Sequence, residues 1–163
     1  MAIRKIIPDS DPFLRSTARE VQKIDERTLV LLDDMKETLE KAGGVGLCAV
    51  QIGVLKRICI VDNGEEYLEL INPVITAAEG EQEDVEGCLS CPGKWGVTRR
   101  PARVTVSYLN RNGEQVVSSG EGLVARCFCH EIDHMSGKLF YDQAIRMFES
   151  QEEMDEYLEE HAE

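Results

Sequence analysis

The chain has 163 residues, of which 42% are hydrophobic and 30% are charged, enough for one globular domain with its own core. Eighteen basic and 31 acidic side chains give a net charge of −13, which argues against tight binding to nucleic acid. No stretch reaches the roughly 18 apolar residues of a membrane span, and the N-terminus does not resemble a secretory signal, so we expect a cytoplasmic protein.

Two helices are predicted in the first quarter of the chain. Asp11-Pro12 has the form of an N-cap followed by proline in the first helical position, and it predicts a short helix through about Glu20. Asp25 caps a second helix, in which leucines and a methionine recur at steps of three and four residues until Gly43-Gly44 ends it. The second pattern is typical of an amphipathic helix that covers a core.

Strands are predicted next along the chain. Residues 57–62 and 68–72 have the composition of strands, and Pro73 is expected to stop the second one because it cannot donate to a sheet ladder. Residues 76–86 are rich in acidic and small side chains, which predicts a surface loop. Residues 104–108 alternate between apolar and polar side chains, which predicts a half-buried strand.

The last third of the chain is predicted to contain a hairpin and two helices. Asn112-Gly113 predicts a tight turn into a strand at 114–118. Residues 121–136 are apolar on most faces of a helix and should therefore be buried, and an acidic helix is expected after Glu149. This order predicts a single compact α+β domain in which mixed or antiparallel strands pack around the buried late helix.

That late helix contains the strongest functional motif, the H-E-x-x-H sequence His130-Glu131-Ile132-Asp133-His134. Residues four apart on a helix lie one above the other, so both imidazoles can bind one metal ion. Leu123 and Cys127 belong to the same stripe, which is expected to face inward. Glu131 follows the first histidine and can move a proton from bound water to a leaving group. The motif therefore predicts a metal-dependent hydrolase.

A catalytic metal site needs a third protein ligand and an open position. Downstream of His134 the candidates are His161 and acidic residues in a tail that should be exposed. Upstream, Cys88 lies in the turn-rich segment 86–92 and offers a thiolate. We therefore expect Cys88, together with the two histidines of the motif, His130 and His134, to hold the metal.

Cys88 and Cys91 also form a C-x-x-C pair, which leaves two other interpretations open. A redox dithiol normally lies at the start of a helix, and Pro92-Gly93 argues against a helix there. A structural zinc site would also recruit Cys127 and Cys129, but these lie about 200° apart around a helix and cannot both face one ion. Disulfides are not expected in a chain without an export signal.

Three separated segments resemble the signature motifs of the peptide deformylase family, in the same order and spacing. They are GVGLCAVQ at 44–51, EGCLS at 86–90 and HEIDH at 130–134. The resemblance implies removal of the formyl group from the N-terminal formylmethionine of nascent proteins, with release of formate. It implies a catalytic domain at residues 1–147, followed by an acidic C-terminal helix or tail at 148–163.

The resemblance also implies a cofactor and partners. Ferrous iron is the usual native metal of the family, and zinc, nickel or cobalt can occupy the site. Metal-bound water would be the nucleophile, and Glu131 would be the general base and acid. The expected partners are N-formylmethionyl nascent peptides and, transiently, the ribosome, whereas neither a membrane nor direct reading of nucleic acid is expected.

The resemblance implies further residues that contact the substrate. The Gln51 side-chain amide and the Leu89 backbone N–H would stabilise the oxyanion, and each such donor is typically worth about 3 kcal/mol. Two glycines would let the backbone approach the extended substrate, and three further residues would line the apolar pocket for the methionine side chain. These substrate-binding residues are Gly44, Gly46, Val45, Leu123 and Cys127.

The chain departs from the family pattern at a few positions. Cys48 replaces a common alanine, and Cys129 stands where glutamine commonly precedes the first histidine ligand. Because Cys129 lies on the side of the helix away from the ligands, we expect altered surroundings of the metal rather than a lost site. Some relatives dock on the ribosome through a basic C-terminal helix, a mode that the acidic tail does not support.

Two other functions remain open from the sequence. A zinc peptidase that cleaves internal bonds is disfavoured by the upstream cysteine ligand and by the short chain. A zinc-stabilised binding module would need a fourth protein ligand, and Cys91 is the nearby candidate.

Overall fold

A five-stranded antiparallel sheet with a long helix on each face organises residues 2–162, which the computed structural model describes. Across this sheet the strands follow the order β1 (Gly46–Cys48), β2 (Ile58–Asp62), β3 (Tyr67–Glu79), β6 (Arg103–Leu109) and β7 (Gln115–Glu121). A three-stranded antiparallel sheet contains β4 (Gln82–Glu86), β5 (Gly96–Arg100) and β8 (Arg146–Met147). The helices are α1 (Glu26–Ala42), α2 (Gly122–His134) and α3 (Gln151–Glu160).

Strand β2 shows why the core has two halves. Its side chains alternate between the faces of the sheet, so Ile58 and Ile60 pack in the cluster that contains α1, whereas Cys59 and Val61 pack in the cluster that contains α2. All four are fully buried because helices cover both faces. The α+β prediction, with antiparallel strands packed around a buried late helix, is confirmed.

The two predicted N-terminal helices have different outcomes. Helix α1 begins after Asp25, whose side chain accepts from the Thr28 N–H at 3.1 Å, and it ends at Gly43 as predicted. The helix at Asp11-Pro12 is a 3₁₀ turn over Pro12–Arg15, so the prediction that it reaches Glu20 is wrong. Beyond the turn the backbone N–H groups of Ala18 and Arg19 donate to distant carbonyls, and these tertiary hydrogen bonds replace helical ones.

Strand β3 does not stop at Pro73, as the sequence predicted, but continues to Glu79. Its pairing with β6 shifts register between Ile71 and Val74, so proline is accommodated at a bulge, where no ladder hydrogen bond is lost. Asn72 at this bulge has a φ of 52°, and its side chain exchanges two hydrogen bonds with the Val21 backbone at 2.8 and 3.0 Å.

The predicted loop over 76–86 is also wrong, because this segment contains the end of β3 and the whole of β4. Its acidic side chains find basic partners on the next strand, as in the Glu83–Arg99 pair at 2.6 Å between β4 and β5. Opposite charges across two strands stabilise their pairing.

Helix α2 forms where the sequence placed a buried helix, and Phe128 at its centre is fully buried. The strand before it, β7, extends to Glu121 instead of ending at Ser118. The acidic tail forms α3, capped by Ser150, and packs through Met154. No helix within residues 2–162 is long and apolar enough to cross a membrane.

Candidate metal centre and active site

Three potential metal ligands converge at the inner face of α2. The donor atoms of Cys88, His130 and His134 all lie within 4.8 Å of one another. The Cys88 Sγ lies 3.4 Å from the His134 Nε2, which in turn lies 3.2 Å from the His130 Nε2. Within residues 2–162 no other group of three or more His, Cys, Asp or Glu side chains is arranged in this way, so the predicted ligand set is brought together.

The fold holds the cysteine against the helix through a short turn. After β4, the Cys91 N–H donates to the Cys88 carbonyl at 2.9 Å and closes a turn around Leu89 and Ser90. The N-terminal segment holds this turn from outside, because the Asp9 N–H donates to the Ser90 carbonyl at 2.7 Å. The two histidines need no such support, since one turn of α2 separates them.

Glu86 orients His130, a role that the sequence analysis missed. Its Oε2 lies 2.5 Å from the His130 Nδ1, so this nitrogen can donate to the carboxylate and leave Nε2 free to bind a metal. Burial alone would raise the pKa of Glu86, but hydrogen bonds from His130 and Arg100 outweigh burial and hold the pKa well below its usual range. The signal in the sequence was its position at the start of the segment 86–90, two residues before the ligand Cys88.

Glu131 lies beside the ligands in the same buried space. Its side chain is 3% exposed, and burial raises its pKa to about 7. Burial and the neighbouring His130 lower the pKa of His134, which favours the neutral ring that a metal requires. The Glu131 Oε1 and the His134 Nδ1 are two of three buried side-chain atoms in the described part of the chain without a hydrogen-bond partner. The unpaired Glu131 Oε1 fits a water molecule beside a bound metal, and the three convergent donors fit the metal itself.

The residues expected at the oxyanion lie next to Cys88. The Gln51 Nε2 donates to the Ser90 Oγ at 3.1 Å and lies 3.5 Å from the Cys88 Sγ. Its Oε1 accepts from the Cys48 N–H at 2.9 Å, which fixes the orientation of the amide. Leu89 lines the pocket in front of Cys88, and no hydrogen bond joins its N–H to another described residue.

A pocket of about 480 Å³ opens in front of these groups. All five predicted substrate-binding residues line it: Gly44, Val45, Gly46, Leu123 and Cys127. Leu123 was expected to face inward, but it is 60% exposed, because it lies in the first turn of α2 at the edge of the pocket. Trp95, 42% exposed, also lines the pocket and was not predicted.

The remaining cysteines belong to the core. All six, each within the described residues, are free thiols. Cys129 is buried in the cluster that contains Phe128. Neither Cys129 nor Cys91 belongs to the group of metal donors. Cys48 lies opposite Cys59 in the β1–β2 pair, and burial raises the pKa of both thiols. Neither the structural zinc interpretation nor a fourth ligand at Cys91 is supported by this placement.

The chain is similar to proteins of known activity over nearly its whole length. The polypeptide deformylase family model matches residues 3–150. The peptide deformylase of Acetivibrio thermocellus is 53% identical over 152 residues, covering 93% of this chain and 89% of that relative. The enzyme of Alkaliphilus metalliredigens is 54% identical over 146 residues, covering 90% and 99%. The crystal structure of the Thermotoga maritima enzyme has a TM-score of 0.85 at 36% identity, covering 88% and 99%. The chain belongs to the peptide deformylase family, metal-dependent hydrolases that remove the formyl group from the N-terminus of nascent peptides.

Proposed function

We propose that Cys88, His130 and His134 hold one divalent metal ion, ferrous iron in the native enzyme, and that zinc, nickel or cobalt can replace it. The observation that carries this proposal is the convergence of the three donors beside a buried carboxyl and an open pocket. A mixed sulfur and nitrogen donor set suits these transition metals rather than magnesium or calcium. When bound, the metal supplies a Lewis acid and lowers the pKa of a water molecule towards about 7.

Glu131 is proposed to accept the proton of the attacking water and to return it to the leaving nitrogen. Burial gives this carboxyl a pKa of about 7, so it exchanges a proton readily near neutral pH. Its Oε1 has no partner among the described residues and is available for that proton.

Two donors from separate segments are proposed to stabilise the oxyanion. The Gln51 amide is held in place by the Cys48 N–H and the Ser90 hydroxyl, and the free Leu89 N–H lies in the turn that follows Cys88. Because both donors are fixed before the substrate arrives, they need little reorganisation as negative charge develops.

Substrate recognition is proposed to depend on the pocket between β1 and α2. Gly44, Val45 and Gly46 would lie along the extended peptide, and Leu123 and Cys127 would contact the methionine side chain. We place this activity in the cytoplasm, where nascent chains form, with a transient contact to the ribosome. Residues 1–147 would be sufficient for catalysis, and the acidic segment 148–163 would be an appendage that does not supply a basic docking helix.

An anaerobic assay of formate release from a formyl-methionyl peptide tests this mechanism. The iron-loaded protein should release formate, and Glu131→Gln should lower kcat at least about a hundredfold while binding the same amount of metal. Glu40→Gln, an exposed change of the same kind on α1, should leave the rate unchanged. No formate from the wild type, or wild-type turnover by Glu131→Gln, would contradict the proposal.

A further inference from the structure

A buried arginine, Arg126, shares the carboxylate of Glu86 with the first histidine ligand. Arg126 lies on α2 one turn before His130 and is 3% exposed. Its Nη1 donates to the Glu86 Oε1 at 3.1 Å, whereas the His130 Nδ1 lies against Oε2 of the same carboxylate. One face of the helix therefore contacts both oxygens of Glu86.

Arg126 is itself tied to the start of the helix that carries it. Its Nη2 donates to the Gln82 Oε1 at 3.3 Å, and the Gln82 Nε2 donates to the Gly122 carbonyl at 2.8 Å and to the Pro101 carbonyl at 3.0 Å. Nη1 also donates to the Thr98 hydroxyl. A continuous hydrogen-bonded chain thus links the first residue of α2 to Glu86 through Gln82 and Arg126.

Charge neutralisation does not explain the second guanidinium. Arg100 already binds both oxygens of Glu86, at 3.2 and 2.8 Å, and is bridged to Asp133 at 2.7 Å. Burying another cation is costly, and an apolar side chain of the same size would pack as well. Arg126 reaches only Oε1, the oxygen that His130 does not touch, so it adds a donor that restrains the carboxylate on the side away from the His130 ring.

We propose that Arg126 is a positioning residue of the metal site, acting through Glu86 on the ring of His130. The role rests on the proposed function of His130 as a ligand. With Oε1 held by Arg126, Arg100 and Thr98, Oε2 stays in line with the His130 Nδ1 and the His130 Nε2 stays directed at the metal. Residues that orient ligands in this way commonly change metal affinity by 10- to 100-fold when they are replaced.

Metal release is the measurement that isolates this role. Zinc-loaded protein is mixed with an excess of a chromophoric chelator, and the release rate is followed for Arg126→Met, Arg126→Lys and Gln82→Leu. Arg126→Met should release zinc about tenfold faster than the wild type, because Oε1 loses a fixed donor. Arg126→Lys should be intermediate. Gln82→Leu removes the acceptor of the Arg126 Nη2 together with the two hydrogen bonds from Gln82 to the Gly122 and Pro101 carbonyls, and it should accelerate release about threefold.

A matched control is Arg103→Met, which removes an exposed arginine paired with Glu121 and should release zinc at the wild-type rate. The visible bands of the cobalt-substituted protein give a second readout. They should change in Arg126→Met, because the ligand field depends on the orientation of His130. Urea unfolding of the metal-free variants shows whether release exceeds what lost global stability would cause.

Each outcome decides between the role and its alternatives. Wild-type release with an unchanged cobalt spectrum in Arg126→Met would overturn the role and leave Arg126 as a packing residue. If that variant does not fold, wild-type release by Gln82→Leu would overturn it equally. A wild type that takes up no zinc would overturn the proposed metal site itself, and with it this role.

Discussion

An alanine in place of Gly46 would insert a methyl group between two side chains of the active site. Its Cβ would lie 2.5 Å from the Cys127 Sγ and 2.6 Å from the Glu131 Oε2. Favourable contacts between heavy atoms begin near 3.5 Å, so these side chains must move by about 1 Å. Gly46 is not among the glycines with positive φ, so any loss would report on the contact and not on backbone strain.

The size of the effect follows from this displacement. A misplacement of about 1 Å can cost about a hundredfold in rate, and overpacking costs about 1–3 kcal/mol of stability. We expect Gly46→Ala to lower kcat about a hundredfold while one metal remains bound per chain, since the three atoms nearest to the added Cβ belong to Cys127 and Glu131 and not to a proposed ligand. Anaerobic formate release at saturating formyl-methionyl peptide, with metal content measured on the same sample, checks this.

A second substitution tests the cause. Cys127→Ala removes the sulfur from the clash and leaves Glu131 more room, so the double variant should recover part of the lost kcat. If Gly46→Ala turned over within twofold of the wild type, the close packing of β1 against Glu131 would not govern the reaction.

Three further predictions concern stability, thiol reactivity and substrate binding. Glu69 pairs with Arg111 at 2.6 Å and Lys36 at 3.2 Å; burial would raise its pKa, but the Arg111 hydrogen bond and Lys36 outweigh burial and lower it. The stabilisation from the ionised Glu69 is therefore present above its ordinary pKa of 4.5 and lost as pH falls through the lower folded value. In urea unfolding, Glu69→Gln should lower the free energy of unfolding by about 2 kcal/mol at pH 7 and by progressively less in acid. A difference that does not depend on pH would contradict this. A hydrogen bond with Cys91 and burial raise the pKa of the Cys88 thiol, but Cys88 is the one cysteine that is not buried. Its exposure should therefore make it the first cysteine that a thiol reagent labels in the native metal-free protein, and bound metal should protect it. Uniform labelling in mass spectra would count against the proposed ligand. Leu123→Ala should raise KM for the formyl-methionyl peptide up to about tenfold with little change in kcat, and an unchanged KM would show that this residue does not contribute to substrate binding.

The local signals in the sequence predicted the elements that carry the ligands. Helix α2 was predictable because its apolar pattern and its H-E-x-x-H spacing agree on one helical face. The pairing of Cys88 with that face followed from the chemistry of metal sites, which need a third donor and an open position. Both steps use residues that are close in sequence or identified by side-chain type.

The errors arose where distant partners decide the structure. The acidic segment 76–86 was taken for a loop because nothing local indicates that Arg99 and Arg100 lie on the neighbouring strand. Pro73 could remain in β3 only because β6 accepts a bulge there. Glu86 and Arg126 were passed over for the same reason, since a charged residue reveals its burial only through partners elsewhere in the chain.

X-ray absorption of the zinc-loaded protein measures the proposed metal site directly. The proposed ligand set predicts one sulfur at about 2.3 Å from the metal, two imidazole nitrogens at about 2.0–2.1 Å and one oxygen ligand from solvent. In the Cys88→Ser variant the sulfur contribution should disappear. Two sulfur ligands in the wild type would show that Cys91 closes the site, and that result would contradict an open, catalytic metal centre.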